Sequence, residues 1–449
     1  MNENKNILKE RDGFNSKWGF ILACIGSAVG MGNIWRFPVM VSQYGGMTFL
    51  IPYFLFVILI ASTGVIEEIA LGRSAKAGPI GAFGYCSYLR WNNRKIGENF
   101  ALLPVLGSLA LAIGYTVVVG WIFKYTFLAF TGRLTEMGNN MDIIGGTFGQ
   151  TATSFGNNGW LIVAMVIGFV IMAMGVADGI EKANKIMMPT LFILFIGLGI
   201  YIGTLEGAHH AYDYIFNVDL QKMKDPLLWI FAFGQAFFSL SIAGNGTVIY
   251  GSYLSNKEDI ISASKNIALY DTIAALLATI VIVPAISVGG ATLDVGGPGL
   301  MFIYLVNVFN SMPGGHIVGI IFYVCVLFAG ISSLINLYET SVATLQEQFK
   351  MSRIFSVLVI GIIGTIIALC IQGIIEPWMD AVSIYACPLG AALAGIFFFW
   401  IGGKDYAENA VNEGAKKRIG SWFVMSGKYV YIPLTIIALV AGIVLNGIG

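Results

Sequence analysis

Eleven stretches of mainly apolar residues recur along this chain, and that repetition leaves few folds open to it. They fall near 17–41, 46–71, 98–128, 158–176, 184–204, 227–251, 262–289, 315–345, 354–373, 378–401 and 428–447. A hydrocarbon core of about 30 Å is crossed by about 20 residues of helix. Peptide groups in lipid must find their partners within the chain, so each stretch is expected to be a helix. The composition agrees, with 57% hydrophobic and 11% charged residues, where a soluble domain carries roughly 25% charged. The expected class is an all-α polytopic membrane protein embedded in a lipid bilayer. A formal net charge of +0 provides no global field to draw nucleic acid. Cys24, Cys86, Cys325, Cys370 and Cys387 are scattered, without the spacing of a disulfide framework or a metal site. The polar start, residues 1–17, leads into a run too long for the apolar core of a signal peptide, so the first span is expected to stay.

Lysine and arginine set the orientation. With the N-terminus cytoplasmic, 20 of the 25 fall on the inner side and four (Lys124, Arg133, Lys222 and Lys224) on the outer, while Arg36 lies within a span. Eleven spans then put the C-terminus outside. The outer joins 205–226 and 290–314 are long and rich in Gly, Asp and His, with room for short surface helices. His209 and His210 suggest a metal pair, but neighbours on a helix point to different sides. With no third ligand in view, a solvated loop is the better reading.

Two spans carry polar and glycine residues where a helix should be firmest. The first reads Gly26-Ser27-Ala28-Val29-Gly30-Met31-Gly32-Asn33-Ile34-Trp35-Arg36-Phe37-Pro38. Glycine weakens a helix. Such a cluster can serve close helix packing, but the neighbouring Asn33 and Arg36 are costly in a membrane and favour a functional break. Span six repeats the pattern from Gln235 through Phe238, Ser239 and Ser241 to Gly244, Asn245 and Gly246. Spans one and six are five apart and so run in opposite directions. Interrupted helices in corresponding positions of two inverted halves point to a transporter site, where half-helices aim N–H groups at an anion and carbonyls at a cation. Span eight adds the hydroxyls of Ser332 and Ser333 beside Ala329, oxygen ligands suited to a hard cation, although serine also bonds to its own helix. Span seven adds Asp271, an intramembrane carboxylate.

The run Gly30 to Pro38, Gly45-Gly46 before Pro52-Tyr53, Gln235 to Gly246, Ala329 to Ser333, and Gly179 spaced ten from Pro189 resemble the neurotransmitter:sodium symporters over essentially the whole chain. The resemblance implies a leucine-transporter-type 5+5 inverted repeat with unwound helices 1 and 6, eleven transmembrane helices in all. The first repeat would be 1–204, the extracellular loop 205–226, the second repeat 227–402, and the cytoplasmic loop with helix 11 residues 403–449.

The same resemblance implies two sodium ions. Ala28, Asn33, Ser239 and Asp271 would hold the first, with the substrate carboxylate as a further ligand. Gly26, Val29, Ala329, Ser332 and Ser333 would hold the second. The substrate carboxylate would meet Gly30, Gly32 and Tyr115, and the amine the carbonyls around Ser27, Ala28, Phe238 and Ser241. The side chain would lie against Met31, Leu111, Phe238, Ser333 and Leu337, with Ser239 nearby. Arg36 with Asp380 would form the outer gate, Arg11 with Glu347, supported by Ser252 and Tyr253, the inner one. Gly179 and Pro189 would be a hinge in span five.

Two departures from the family pattern bear on substrate and ions. Gly244 stands where the family commonly has an aromatic residue, which opens the pocket to large hydrophobic or aromatic amino acids. Asp271 stands in place of the usual Asn. Animal relatives hold chloride near residues matching Tyr53, Gln235 and Ser239, and a carboxylate there supplies the negative charge permanently, so transport is expected to be chloride-independent. The expected protein is a sodium-coupled amino acid importer of the bacterial inner (plasma) membrane, not an enzyme, with one chain sufficient for transport. A proton-coupled carrier using Asp271, a channel, and an intramembrane enzyme with Asp271 and Asp380 as a dyad are the competing readings. No HExxH or Gly-x-Ser-x-Gly motif supports the last.

Overall fold

In the computed structural model the described residues are 13–242, 245–288 and 297–448, and they contain helices and no strands. The first apolar run is divided into α1 (Lys17–Ala28) and α2 (Phe37–Gln43), joined through Val29, Gly30, Met31 and a wide turn at Gly32–Arg36. The two parts are bent by 55°. Then come α3 (Met47–Ala75), α4 (Pro79–Trp91), α5 (Arg94–Phe130), α6 (Met141–Ala152) and α7 (Asn158–Ala173). Next are α8 (Val176–Gly203), α9 (Ala208–Phe216), and the second interrupted pair, α10 (Pro226–Ser239) and α11 (Gly246–Ser252). The chain continues with α12 (Ile260–Val288), α13 (Leu305–Ser311), α14 (Gly315–Phe349), α15 (Arg353–Ile371), α16 (375–401), α17 (Lys404–Asn412) and α18 (Trp422–Leu445).

Local chemistry sets several starts. Ser16 accepts from the Gly19 amide at 3.0 Å to open α1. Asn93 accepts from Lys95 to open α5, and Asp225, just before Pro226, from Leu227 to open α10. Each satisfies an amide that the first helical turn leaves without a partner.

Among the described residues the apolar runs are helical apart from the breaks in the first and sixth, and the joins hold more structure than their composition suggests. Residues 79–91 lie between two spans yet form α4, which packs along α5. Gly78-Pro79 opens it, and Asn92, in the left-handed region at φ 53, closes it. The outer joins carry α9 and α13, and a further outer helix, α6, lies in residues whose pattern did not announce it. His209 and His210 sit exposed on α9, so they belong to a surface helix and not to a loop. One element is central: α1 is flanked by α8, α12 and α14, so the first break is enclosed on three sides.

Candidate functional site

The site begins with a question of hydrogen bonds. In a continuous helix the Gly30 amide would bond to the Gly26 carbonyl and the Met31 amide to Ser27. Here the Gly30 amide donates to Asn33 Oδ1 at 3.3 Å and the Met31 amide to the Tyr115 hydroxyl at 3.0 Å. The helix that supplied those partners has ended, and the Gly26 and Ser27 carbonyls are released to other donors. Backbone oxygens buried in this way need partners. Ser333 on α14 lies close, its Oγ 3.2 Å from the Gly26 oxygen and 3.4 Å from those of Ser27 and Val29. One hydroxyl carries one proton, so three carbonyls converge on a donor that satisfies one of them. Ser241 donates to the Ser27 oxygen at 2.8 Å. Ser332 donates to the Ala329 carbonyl at 3.1 Å. The result is an oxygen-rich cluster with unspent lone pairs, an arrangement suited to a hard cation. All the residues the sequence suggested for the second ion (Gly26, Val29, Ala329, Ser332 and Ser333) contribute to it or border it.

Glycine at 26 is required by space. A Cβ there would run into Asn184 Oδ1 and would stand 2.9 Å from Ser332 Cβ. Gly26→Ala is therefore expected to push Ser332 away from the carbonyl cluster. Sodium affinity at that position should fall at least about tenfold while the protein stays folded, as a sodium titration of substrate binding would read.

A second cluster lies across the wide turn before α2, the end of α10, and α12. Asn33 Nδ2 donates to Asp271 Oδ1 at 2.8 Å and approaches Ser239 Oγ at 3.2 Å. Ser239 Oγ donates to Asp271 Oδ2 at 2.6 Å. Asn33, Ser239 and Asp271 are all buried. The Ser239 hydroxyl also lies 3.4 Å from the Tyr53 hydroxyl, and Gln235 Nε2 donates to the Gly32 carbonyl at 3.4 Å. Tyr53, Gln235, Ser239 and Asp271 thus form one neighbourhood, with the Asp271 carboxyl as its acidic group.

Between the two clusters stands Gly30. A Cβ at this position would meet the Tyr115 hydroxyl at 2.9 Å and Ser333 Oγ at 3.1 Å, with the Ala28 oxygen 3.9 Å away. One at Gly32 would meet nothing within 4 Å, so open space adjoins the broken helix there. Met31 is buried, while Leu111, Tyr115, Phe238 and Leu337 are partly exposed. Gly244 and Arg11 lie outside the described residues.

The described residues expected at the two gates have the following surroundings. Arg36 Nε has no hydrogen-bond partner, and Asp380 acts on the guanidinium through its field without a contact ion pair. At the opposite end Phe14 packs edge-on against Tyr250 and Tyr253, with ring centroids 5.6 and 6.4 Å away. Glu347 accepts from the Gly78 amide at 2.9 Å, Ser252 donates to the Ile249 carbonyl, and Tyr253 donates to Glu339 at 2.7 Å. The Gly179–Pro189 segment is wound in this structure. Gly179 has a packing role of its own, since a Cβ there would run into the Ile171 carbonyl.

Three participants escaped sequence reasoning. Asn336, one turn beyond Ser333, accepts from Ser27 Oγ at 2.7 Å and donates to the Gly246 carbonyl at 3.3 Å, tying the two breaks together. Its spacing from Ser332 and Ser333 on one helix face was the available signal. Glu68 on α3 accepts from Thr247 on α11. Glu181 accepts from the Asn15 amide at 2.6 Å and from Ser16 Oγ at 2.8 Å, and pairs with Lys185. It therefore clamps the start of α1 to α8. Glu181→Ala is expected to loosen that end and raise labelling of a cysteine placed at Ser27 from the cytoplasmic side by several-fold in sodium-free medium. Unchanged labelling would remove the clamp from the account.

Two interrupted helices, facing oxygen clusters and an enclosing helical bundle are the arrangement of a cation-coupled membrane transporter. A model of the Sodium:neurotransmitter symporter family matches residues 11–142 and 140–447, and the chain belongs to that family. A sodium-dependent transporter of Methanocaldococcus jannaschii is 29% identical over 443 residues, spanning 92% of this chain and 87% of the relative. The sodium-dependent transporter YhdH of Bacillus subtilis is 31% identical over 343 residues, 75% of this chain and 73% of that one. Among solved structures, that of MhsT in complex with L-phenylalanine superposes with a TM-score of 0.82 at 32% identity, covering 96% of this chain and 99% of the other. The fold is that of the leucine-transporter type, and the protein is a sodium-coupled membrane transporter, not an enzyme.

Proposed function

We infer that this protein imports hydrophobic and aromatic L-amino acids with two sodium ions, by alternating access and without chloride. The observation that carries the reading is the release of the Gly26, Ser27 and Val29 carbonyls toward Ser333, beside the buried Asn33–Ser239–Asp271 cluster. The carbonyl group would take the second ion and the carboxylate group the first. A substrate carboxylate between them would reach the first ion and the Tyr115 hydroxyl, so substrate and sodium would complete each other's site. A ligand shifts a conformational balance only by its differential affinity for the two states, and shared ligands provide that difference. Membrane potential adds about 2.3 kcal/mol per charge per 100 mV to the driving force.

The substrate class is supported by Gly244, at a position where the family resemblance implies an aromatic residue, and by the phenylalanine bound to MhsT. Chloride independence is supported by the Asp271 carboxylate within the Tyr53–Gln235–Ser239 neighbourhood. The eleven-span reading rests on the eleven apolar runs of the sequence, with residues 1–204 and 227–402 as the inverted halves. The orientation, N-terminus inside and C-terminus outside, follows from the distribution of lysine and arginine. Contacts of Phe14 and Glu181 at one end, with Arg36 and Asp380 apart at the other, fit a state closed toward the cytoplasm.

The test is uptake of labelled Trp, Leu and Gly into proteoliposomes, with sodium or potassium outside and chloride replaced by gluconate. Trp and Leu should accumulate only with sodium and equally well in gluconate, and Gly poorly. Accumulation driven by a pH gradient without sodium would establish proton coupling instead.

A further inference from the structure

Away from the substrate region, α3 and α12 enclose a groove of about 620 Å³ that opens to the outer surface of the bundle. Two helical stripes form its walls, Phe54, Val57, Ile58 and Ala61 on α3 facing Ile261, Ala268 and Leu269 on α12. Both are apolar, and Ile58 and Leu269 are more than half exposed. An apolar face is ordinary on a membrane protein, where bulk lipid covers it. What sets this groove apart is one end. Lys265 comes from α12, and Lys417 and Arg418 from the join before α18, with Trp422 beside them. All three cations are exposed, and among the described residues none makes an ion pair or hydrogen bond.

The join that carries two of them is held in shape. Asn412 accepts from the Ile419 amide at 2.8 Å and donates to the Ile419 carbonyl at 3.0 Å, while the Lys416 amide donates to Asp259 at 3.2 Å. The backbone that carries Lys417 and Arg418 is thus held at the groove that Lys265 also lines. Three unpaired cations above an apolar trough match a molecule with an anionic head and hydrocarbon tails. Trp422 lines the groove beside them, and amphipathic rings favour the level between headgroups and acyl chains. Clustered Lys and Arg at that level draw anionic lipid.

We propose that the groove between α3 and α12 is a binding site for one anionic phospholipid, its phosphate held by Lys265, Lys417 and Arg418 and an acyl chain laid along Ile58 and Leu269. The occupant would bridge α3, which carries Tyr53 and Glu68, to α12, which carries Asp271. Its retention would therefore bear on the stability of the elements that hold the first ion.

The experiment uses the full chain, delipidated in detergent and titrated with phosphatidylglycerol or phosphatidylcholine, with bound lipid counted by native mass spectrometry. One phosphatidylglycerol should be retained in preference to phosphatidylcholine by about tenfold. The variant Lys265→Gln/Lys417→Gln/Arg418→Gln should lose that preference while keeping the helical circular dichroism and elution volume of the parent. Ile58→Trp, which fills the trough and leaves the cations in place, should lower retention of phosphatidylglycerol. Equal retention of the two lipids, or a preference that survives in the triple variant, would overturn the proposal. So would displacement of the lipid by millimolar inorganic phosphate, which would mark a site for the free anion.

Discussion

Asp271→Ala is expected to abolish sodium-dependent substrate binding, with an affinity loss of about 30-fold or more. The carboxylate accepts from Asn33 at 2.8 Å and from Ser239 at 2.6 Å, and it is fully buried. Removing it leaves two polar side chains on two broken helices without their common acceptor and would deprive the proposed first cation of a negative charge. Truncating one partner of a buried, hydrogen-bonded charge pair costs about 2–5 kcal/mol of binding, which corresponds to a factor of about 30 to several thousand in affinity. Asp271→Asn keeps the shape and removes the charge. It should retain some uptake in chloride and lose it in gluconate, because Tyr53, Gln235 and Ser239 remain to receive the anion. Chloride-insensitive uptake by Asp271→Asn would show that the carboxylate does not replace chloride.

The second large effect concerns stability. Glu339 on α14 is completely buried and is gripped by the Arg353 fork, Nη1 to Oε1 and Nη2 to Oε2, both at 2.9 Å. The Tyr253 hydroxyl donates to the same carboxylate at 2.7 Å, and Arg353 Nε donates to the Met172 carbonyl at 2.8 Å. One carboxylate thereby ties the end of α7, the residue after α11, helix α14 and the start of α15. A paired and fully hydrogen-bonded fork of this kind is among the stronger side-chain interactions. Truncating either partner is expected to cost about 3–5 kcal/mol. Glu339→Ala should lower the thermal midpoint in detergent by many degrees, whereas Lys182→Ala, which breaks only an exposed pair with Asp178, should leave it nearly unchanged. Equal midpoints for the two variants would count against this reading of the Glu339 network.

These two predictions differ in how far the sequence announced them. Asp271 stands out because a carboxylate within an apolar run is costly without a purpose. The Gly26–Arg36 stretch stands out for a related reason, since glycines beside Asn and Arg are poor material for a lipid-buried helix. Both signals are local, and the structure brings Asn33, Ser239 and Asp271 together from three separate helices. The Glu339–Arg353–Tyr253 network is harder to read in the same text, because Glu339 stands within the 315–345 run while Arg353 opens the next helix and Tyr253 follows α11, and nothing in the sequence pairs them. Glu181 is similar, as its partners Asn15 and Ser16 are 166 and 165 positions away. Helix α4 was hidden for another reason. Its 13 residues are too few for a span, and its start and stop rest on Pro79 and Asn92, not on an apolar stripe. Asn336 was in reach, one turn from Ser332 and Ser333, but its bond to Ser27 depends on how α14 rotates against α1.

The central claim is that substrate and sodium complete one another's sites at the two breaks. It is tested most directly by measuring the affinity of purified protein for radioactive sodium with and without phenylalanine, and for phenylalanine with and without sodium. Coupling is reciprocal at equilibrium. The account predicts that each ligand tightens the other by the same factor, at least about tenfold, and that Asp271→Ala removes the effect. Sodium and phenylalanine binding that proceed independently in the parent protein would contradict it.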